Sequence, residues 1–412
     1  MPLGPGNTHP RFFGWVHGAG APSGLISAVS EAAMNVNAGG RNHIAPVIEK
    51  QVIRWAADMV GMPRATSGLI VSGTSMATII ALKTARDQAL QKSANTPAGI
   101  TKLTGYTSEQ THSCVARAFD ILGLGKDNLR QIVCNSDFEI DTASLTAAIQ
   151  TDRANGLIPF AIIGTAGAVN MGAIDDLEAL ADIAREENLW FHIDGAFGAT
   201  AHIGQLARAR LTGLARADSL AFDFHKWLQV NYDAGCVLIR DEAAHRRAFA
   251  SRPEYLRGSE RGLAGGDFWA VDYGPELSRG FRALKVWTHI KTHGVDALAA
   301  VGVESERRLG QELLPQHPTD HLPAQHADVA AREWAGLGGV LAAIQDSLAD
   351  RAVKDGFIAD ETDELSSRIS ASAGVGPIGL FGSTTLGRRR GTSPVLLPVA
   401  RGGFGPCPCW AE

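Results

Sequence analysis

Two short apolar runs, each leading into a charged group, constrain this chain most. The first reads Trp-Phe-His-Ile-Asp-Gly-Ala-Phe-Gly (190–198) and the second Ala-Asp-Ser-Leu-Ala-Phe-Asp-Phe-His-Lys-Trp (217–227). An apolar run closed by small residues is the pattern of a buried strand whose carboxyl end opens into a turn. Ligands of open α/β sheets gather outside such strand ends. The pattern therefore predicts that Asp194 closes one strand, that Lys226 closes another, and that the two meet at one rim.

That pairing has a chemical use. A lysine in a mostly apolar run is costly to bury as a cation, so burial is expected to favour the neutral, nucleophilic amine of Lys226. Such an amine forms a Schiff base with an aldehyde. Pyridoxal phosphate is an aldehyde of this kind, and its ring accepts electrons when an adjacent carboxylate keeps the pyridine nitrogen protonated. On this reading Lys226 takes the aldehyde and Asp194 the ring nitrogen. Each residue alone also has an ordinary reading, Asp194 as a strand-end carboxylate and Lys226 as a lysine with its stem on apolar surface and its head in water.

Composition narrows the classes. The chain has 412 residues, enough for a large core and more than one domain. A formal net charge of −5 suggests neither a nucleic-acid nor an acidic-membrane partner. No apolar run reaches the length of a membrane span, and Met-Pro-Leu-Gly-Pro-Gly at the start lacks a signal-peptide pattern. Five scattered cysteines argue against a disulfide framework and make a reducing cytoplasm the expected location. Cys407 and Cys409 lack companion ligands, and no metal is expected.

Strand and helix patterns alternate through 60–240, which predicts an α/β fold with a mostly parallel sheet covered on both faces. Residues 68–82 read as strand, small-residue turn and helix. Thr74 and Ser75 at that turn suit a phosphate, held by backbone amides and the positive helix end, or serve as plain helix caps. Residues 106–118 start polar and continue as a helix, with His112 in the opening turn as a cap or a catalytic group. Asp141 to Asn155 reads as a helix capped by Asp141 and stopped by Gly156. The run from Leu157 is a buried strand entering a Gly-rich loop, and Thr165 with the backbone of Ala168 and Val169 should border the cofactor. Asp175 to Glu187 is the next helix, and a strand follows from Asp233.

Upstream, 23–60 looks helical. Leu25, Ile26, Val29 and Ala33 share a face, and a break at 39–43 carries Asn42 and His43, which either reach substrate or sit in a solvated loop. His-Pro-Arg-Phe-Phe-Gly-Trp-Val-His-Gly (9–18) reads either as a loop inserting Phe12, Phe13 and Trp15 into a cleft or as a hydrophobic anchor. Residues 251–266 are Gly-rich and charged, as in a mobile lid, and Tyr255 lies at its start.

His-Ile-Asp-Gly-Ala followed by Asp-Ser-Leu-Ala-Phe-Asp-Phe-His-Lys-Trp resembles the pyridoxal-phosphate-dependent group II amino acid decarboxylases, which include aromatic L-amino acid, tyrosine, histidine and glutamate decarboxylases. The resemblance covers roughly residues 9–300. It implies the aspartate-aminotransferase-like fold (fold type I), pyridoxal 5'-phosphate as cofactor, an amino acid substrate and a homodimer. It also implies residue roles. Gly73-Thr74-Ser75 would bind the cofactor phosphate and His112 would stack on the ring. Ala196, Asp223 and His225, inside the quoted motifs, would join Asp194, Thr165 and Lys226 around the cofactor. Trp15, Val16 and Gly18 would line the substrate side-chain pocket, and Tyr255 would return a proton after decarboxylation. Arg279 and Arg282 fall in a further matching segment and are either structural ion-pair formers, the favoured reading, or substrate-cleft residues. The family's usual hydroxyl near 168–169 is missing here, which puts one polar cofactor contact in doubt.

Three regions follow: 1–60, an N-terminal segment with the substrate-pocket loop; 61–300, the large cofactor-binding domain; and 301–412, a degenerate region in place of the family's small domain. The family's N-terminal interlocking helices have no counterpart before residue 9. A helix fits 332–348, whereas 387–409 is rich in Gly, Pro and Arg and resembles an unfolded tail. A shift of reading frame in the coding sequence would produce such an ending. The expected activity is decarboxylation of an L-amino acid, aromatic in view of Phe12 and Trp15. The rivals are an aldehyde synthase, which Tyr255 opposes, and an inactive remnant keeping only a cofactor-binding shell.

Overall fold

The computed structural model describes residues 7, 16, 18–40, 42–92, 99–250 and 268–312, without the side chains of 205–206 and 301–312. All fall within the first of two units, Met1–Thr362; the second, Asp363–Glu412, lies outside the described residues.

Helix α1 (Pro22–Met34) opens on a proline, which suits a first turn that needs no N–H, and stops at Asn35 in the left-handed region. Its expected apolar face does not point inward. Leu25 and Val29 are 61% and 70% exposed, and the buried residues are Ser23, Gly24 and Ser27. The reason is a close approach: a methyl group on Gly24 would lie 1.9 Å from Asn231 Oδ1. Helix α2 (Ile44–Met59) follows, and His43 is its cap, accepting the Ala45 amide on Nδ1. That contact gives His43 a local structural role.

The chain then alternates: β1 (Ser67–Val71), α3 (Thr74–Lys92), β2 (Leu103–Ser108), α4 (Cys114–Ile121), β3 (Leu129–Ile132), α5 (Thr142–Ala154), β4 (Ile158–Thr165), α6 (Leu177–Glu186), β5 (Trp190–Asp194), α7 (Gln205–Arg208), β6 (Ser219–Asp223), β7 (Gly235–Ile239), α8 (Glu242–Phe249) and α9 (Arg282–Glu312), the last interrupted at Gly294. The strands form one sheet in the order β1-β7-β6-β5-β4-β2-β3. β7 runs antiparallel to both neighbours and the remaining pairings are parallel. This is the mostly parallel α/β sheet expected from the alternation.

Alternate strand residues feed two cores. Phe191, Ile193, Leu220 and Phe222 pack with α2, α5, α6 and α9, while Ala161, Ile163, Ala221 and Val237 pack with α3 and α4. Burial on both faces is what makes these strands read as continuous apolar runs. Arg279 joins the layers. It is 4% exposed, forks onto both oxygens of Glu49 at 2.6 and 2.9 Å, and donates to Ile70 O. Arg282 pairs with Asp233 and Glu276.

Three expectations need correction. Residues 106–108 end a strand, and the helix after them starts at Cys114; Tyr106 is buried with its hydroxyl on Asp152, which holds it in the sheet. The cap of α6 is Asp176, while Asp175 is buried and accepts the amides of Ile140 and Thr165. The strand expected to reach Lys226 ends at Asp223, and a turn follows over 224–228.

Candidate active site

Parallel strands put their carboxyl ends on one rim, so Thr165, Asp194 and Asp223 come together from β4, β5 and β6. Thr165 and Asp194 are direct register partners. The turn ahead of α3 enters the same rim, because a methyl group on Gly235 would lie 2.4 Å from Gly73 Cα. The lack of a side chain at Gly235 permits that approach.

Asp223 is the hub. It is 3% exposed, accepts the Thr74 amide on Oδ1 at 2.7 Å and faces Lys226 Nζ with Oδ2 at 3.1 Å. The expectation of a buried, unpaired Lys226 is corrected: the side chain keeps 23% exposure and its ammonium is paired. His225 packs beside the pair. Its Nδ1 accepts the Ala234 amide, so Nε2 carries the proton and lies 3.7 Å from Asp223 Oδ2. Burial pushes the His225 pKa down, and its ring lies 4.2 Å from that of Tyr232.

Asp194 is 3% exposed. Its Oδ1 accepts the Ala196 amide at 3.1 Å, and the Cys114 thiol stands 3.6 Å from Oδ2. Among the described residues no lysine, arginine or histidine nitrogen pairs with it. Burial pushes its carboxyl above the ordinary range, against the Ala196 hydrogen bond and the potentials of Lys226 and His112. A carboxylate in this setting is stabilised by a cation brought to it.

His112 is exposed, and just ahead of α4 its Nδ1 accepts the Cys114 amide at 3.2 Å while it faces Asp194 electrostatically. Thr74 is buried at the start of α3, whereas Ser75 is exposed. Thr165 Oγ1 lies 3.4 Å from Thr111 Oγ1. Ala168 is buried and Val169 is 38% exposed. Gly18 lies against the turn itself: its amide donates to His225 O, and an added methyl would meet the carbonyls of His225 and Lys226 at 2.7 and 2.8 Å. Val16 is half-buried. Phe12, Phe13, Trp15 and Tyr255 lie outside the described residues.

The sequence profile of the pyridoxal-dependent decarboxylase conserved domain matches residues 7–321. The chain belongs to the pyridoxal-dependent decarboxylase family. An aromatic-L-amino-acid decarboxylase of Bacillus atrophaeus is 39% identical over 291 residues, 70% of this chain and 59% of that protein. A phenylacetaldehyde synthase of a Rosa hybrid cultivar is 31% identical over 309 residues, 71% and 59% of the two chains. A crystal structure of Oryza sativa TDC with PLP and tryptamine superposes with a TM-score of 0.69 at 29% identity, covering 74% of this chain and 64% of that one. The chain thus spans about three fifths of the length of the curated relatives it matches.

The cofactor of this family is pyridoxal phosphate, and the residues at this rim fit it. Thr74 Oγ1 is buried without a hydrogen-bond partner at the N-terminus of a 19-residue helix, where an anion is favoured. Asp194 is a buried carboxylate in need of a cation, and Lys226 offers an amine. Two contributors escaped the sequence reading. Cys114 gave no signal beyond lying two places after His112. Asp175 reads in the sequence as a helix start, although the paired acids at 175–176 leave room for one to turn inward.

Proposed function

We propose that this protein decarboxylates an L-amino acid, aromatic for preference, to the amine and carbon dioxide. The observation that carries the reading is the Asp223 bridge, with the Thr74 amide on one oxygen and the Lys226 ammonium on the other. That bridge sets the amine beside the helix end that favours a phosphate.

Pyridoxal phosphate, when bound, supplies the aldehyde that captures the amine and the ring that takes up the electron pair left by departing carbon dioxide. The Thr74 and Ser75 end of α3 would hold the phosphate, with His225 and Ala196 on the flanks. Lys226 would hold the aldehyde until substrate replaces it, and Asp223 would orient its Nζ. Asp194 would keep a proton on the ring nitrogen, and His112 and Thr165 would border the ring. Tyr255 would deliver a proton to the substrate carbon that lost carbon dioxide. Trp15, Val16 and Gly18 would receive the substrate side chain, and Gly18's contact with the Lys226 turn supports that placement.

We propose residues 1–60 as the pocket-forming segment, 61–300 as the cofactor domain and 301–412 as a divergent substitute for the small domain. A homodimer is proposed by family likeness. A cytoplasmic location is supported by the free thiols of Cys114, Cys134 and Cys236. The second reading, an aldehyde synthase, is favoured by the Rosa relative and opposed by Tyr255. Purified full-length chain should take up pyridoxal phosphate, give its visible band, and release amine when screened against the common amino acids, aromatic ones first. Aldehyde and peroxide in place of amine would favour the second reading, and no cofactor uptake would overturn both.

A further inference from the structure

The cofactor site as read above depends on two groups keeping a fixed relation, the ring-stacking imidazole of His112 and the ring-nitrogen carboxylate of Asp194. Resting on that reading, we propose that Cys114 is a positioning residue that holds both, His112 through its backbone amide and Asp194 through its thiol.

The geometry is specific. Cys114 is the first residue of α4. Its amide donates to His112 Nδ1 at 3.2 Å and its Sγ donates to Asp194 Oδ2 at 3.6 Å, within the longer reach of a sulfur donor. Because Nδ1 accepts, the neutral imidazole carries its proton on Nε2, and the ring plane is set from the same residue. The Asp194 carboxylate is fixed at both oxygens, Oδ1 by Ala196 and Oδ2 by Cys114. Cys114 is 4% exposed. Its own burial and the Asp194 charge push the thiol's pKa up, so it stays an S–H donor.

A thiol suits this role. It is a weak donor, so it orients the carboxylate without drawing off much of the negative charge that must face a protonated ring nitrogen. A strong cationic donor at the same place would compete with that nitrogen for the same oxygen. Cys114 therefore sets direction and leaves basicity, and any shift at the start of α4 moves His112 and Asp194 together.

Two measurements on the full chain test this. The first is the infrared S–H stretching band of Cys114 in the protein before cofactor loading, isolated as wild type minus Cys114→Ser. It should lie below the band of an unbonded thiol and move up in Asp194→Asn. A band at the unbonded position, unmoved by Asp194→Asn, would overturn the thiol contact. The second uses pyridoxal phosphate as the probe. Cys114→Ala should weaken cofactor binding roughly tenfold, as expected for losing a modest hydrogen bond to a charged group, and should shift the pH midpoint of the cofactor's visible band. Cys114→Ser, which restores a donor, should bring both back toward wild type. Wild-type affinity and an unshifted midpoint in Cys114→Ala would overturn the role of Cys114 alone. A folded wild-type chain that takes up no pyridoxal phosphate would overturn the functional reading and this role together. If Cys114→Ala fails to fold, the infrared band and the Cys114→Ser titration still decide.

Discussion

Gly235 and Gly73 meet backbone to backbone, and a methyl group on Gly235 would lie 2.4 Å from Gly73 Cα. The reverse substitution is milder, since a methyl on Gly73 meets only His225 Cε1 at 3.6 Å and Asp223 Oδ1 at 3.7 Å. Gly235→Ala must push the turn ahead of α3 away from β7, at a cost of about 1–3 kcal/mol for overpacking. It should lower the denaturant midpoint and weaken pyridoxal phosphate binding, while Gly73→Ala changes both much less. Equal effects from the two would contradict the asymmetry.

Lys226 is expected to carry the cofactor. Borohydride reduction of the loaded protein, then peptide mass analysis, should find the pyridoxyl group on Lys226. An adduct on Lys285, whose Nζ is held by Tyr232 O, or on any other lysine would displace the assignment.

Asp194→Asn keeps the shape of the side chain and removes its charge. Losing one partner of a buried pair costs roughly 3–5 kcal/mol, which corresponds to about two to four orders of magnitude in rate. Cofactor should still bind through phosphate and amine. Near-wild-type turnover by Asp194→Asn would remove it from the ring nitrogen.

Tyr255→Phe fills the same space without the phenolic proton. Proton delivery by a positioned group is worth roughly 10²–10⁴-fold. Loss of carbon dioxide should persist while return of the proton slows, and dioxygen can then divert product from amine toward aldehyde, ammonia and peroxide. Unchanged amine yield without peroxide would exclude Tyr255 as donor and turn attention to His112.

Acidification should destabilise the fold. His192, His245 and His289 are buried, and burial lowers each pKa from 6.5 to about 3. The unfolded chain therefore binds protons first as pH falls below 6.5, and stability is lost from there down toward 3. At pH 5 this amounts to about 2 kcal/mol for each histidine. Asp175, raised to about 6 by burial, acts in the opposite direction: its contribution is present at low pH and lost as pH rises through 6. Asp194 and Asp218, also raised by burial, act in Asp175's direction, and His43 and His225, lowered by burial, act with the three histidines. Urea midpoints at pH 7 and pH 5 should differ accordingly, and His245→Gln should narrow the gap.

The reach of the sequence followed from the kind of signal. Asp194 at a strand end was legible because a doubly buried strand writes a continuous apolar run that stops where the sheet stops. Lys226 was legible only from its motif. Its strand ends at Asp223, and the residues between read as apolar because Phe224 is buried in the turn. The outward direction of α1's apolar face was not legible, because spacing reveals that apolar residues share a side, not which neighbour faces that side. The Asp223 bridge joins positions 149 apart, which no local pattern records.

The segment around Gly18 has a consequence in time. Its amides reach His225 O, Gln229 Oε1 and Asn231 Oδ1, the latter two contacts spanning 210 positions each. Contacts of such separation close long loops and carry a large entropy of closure. The turn that bears Lys226 should thus reach its final form only after the sheet has assembled and the chain's beginning has returned to it. Capture of an aldehyde at Lys226 then becomes a clock for refolding, its appearance trailing the recovery of helical and sheet signal.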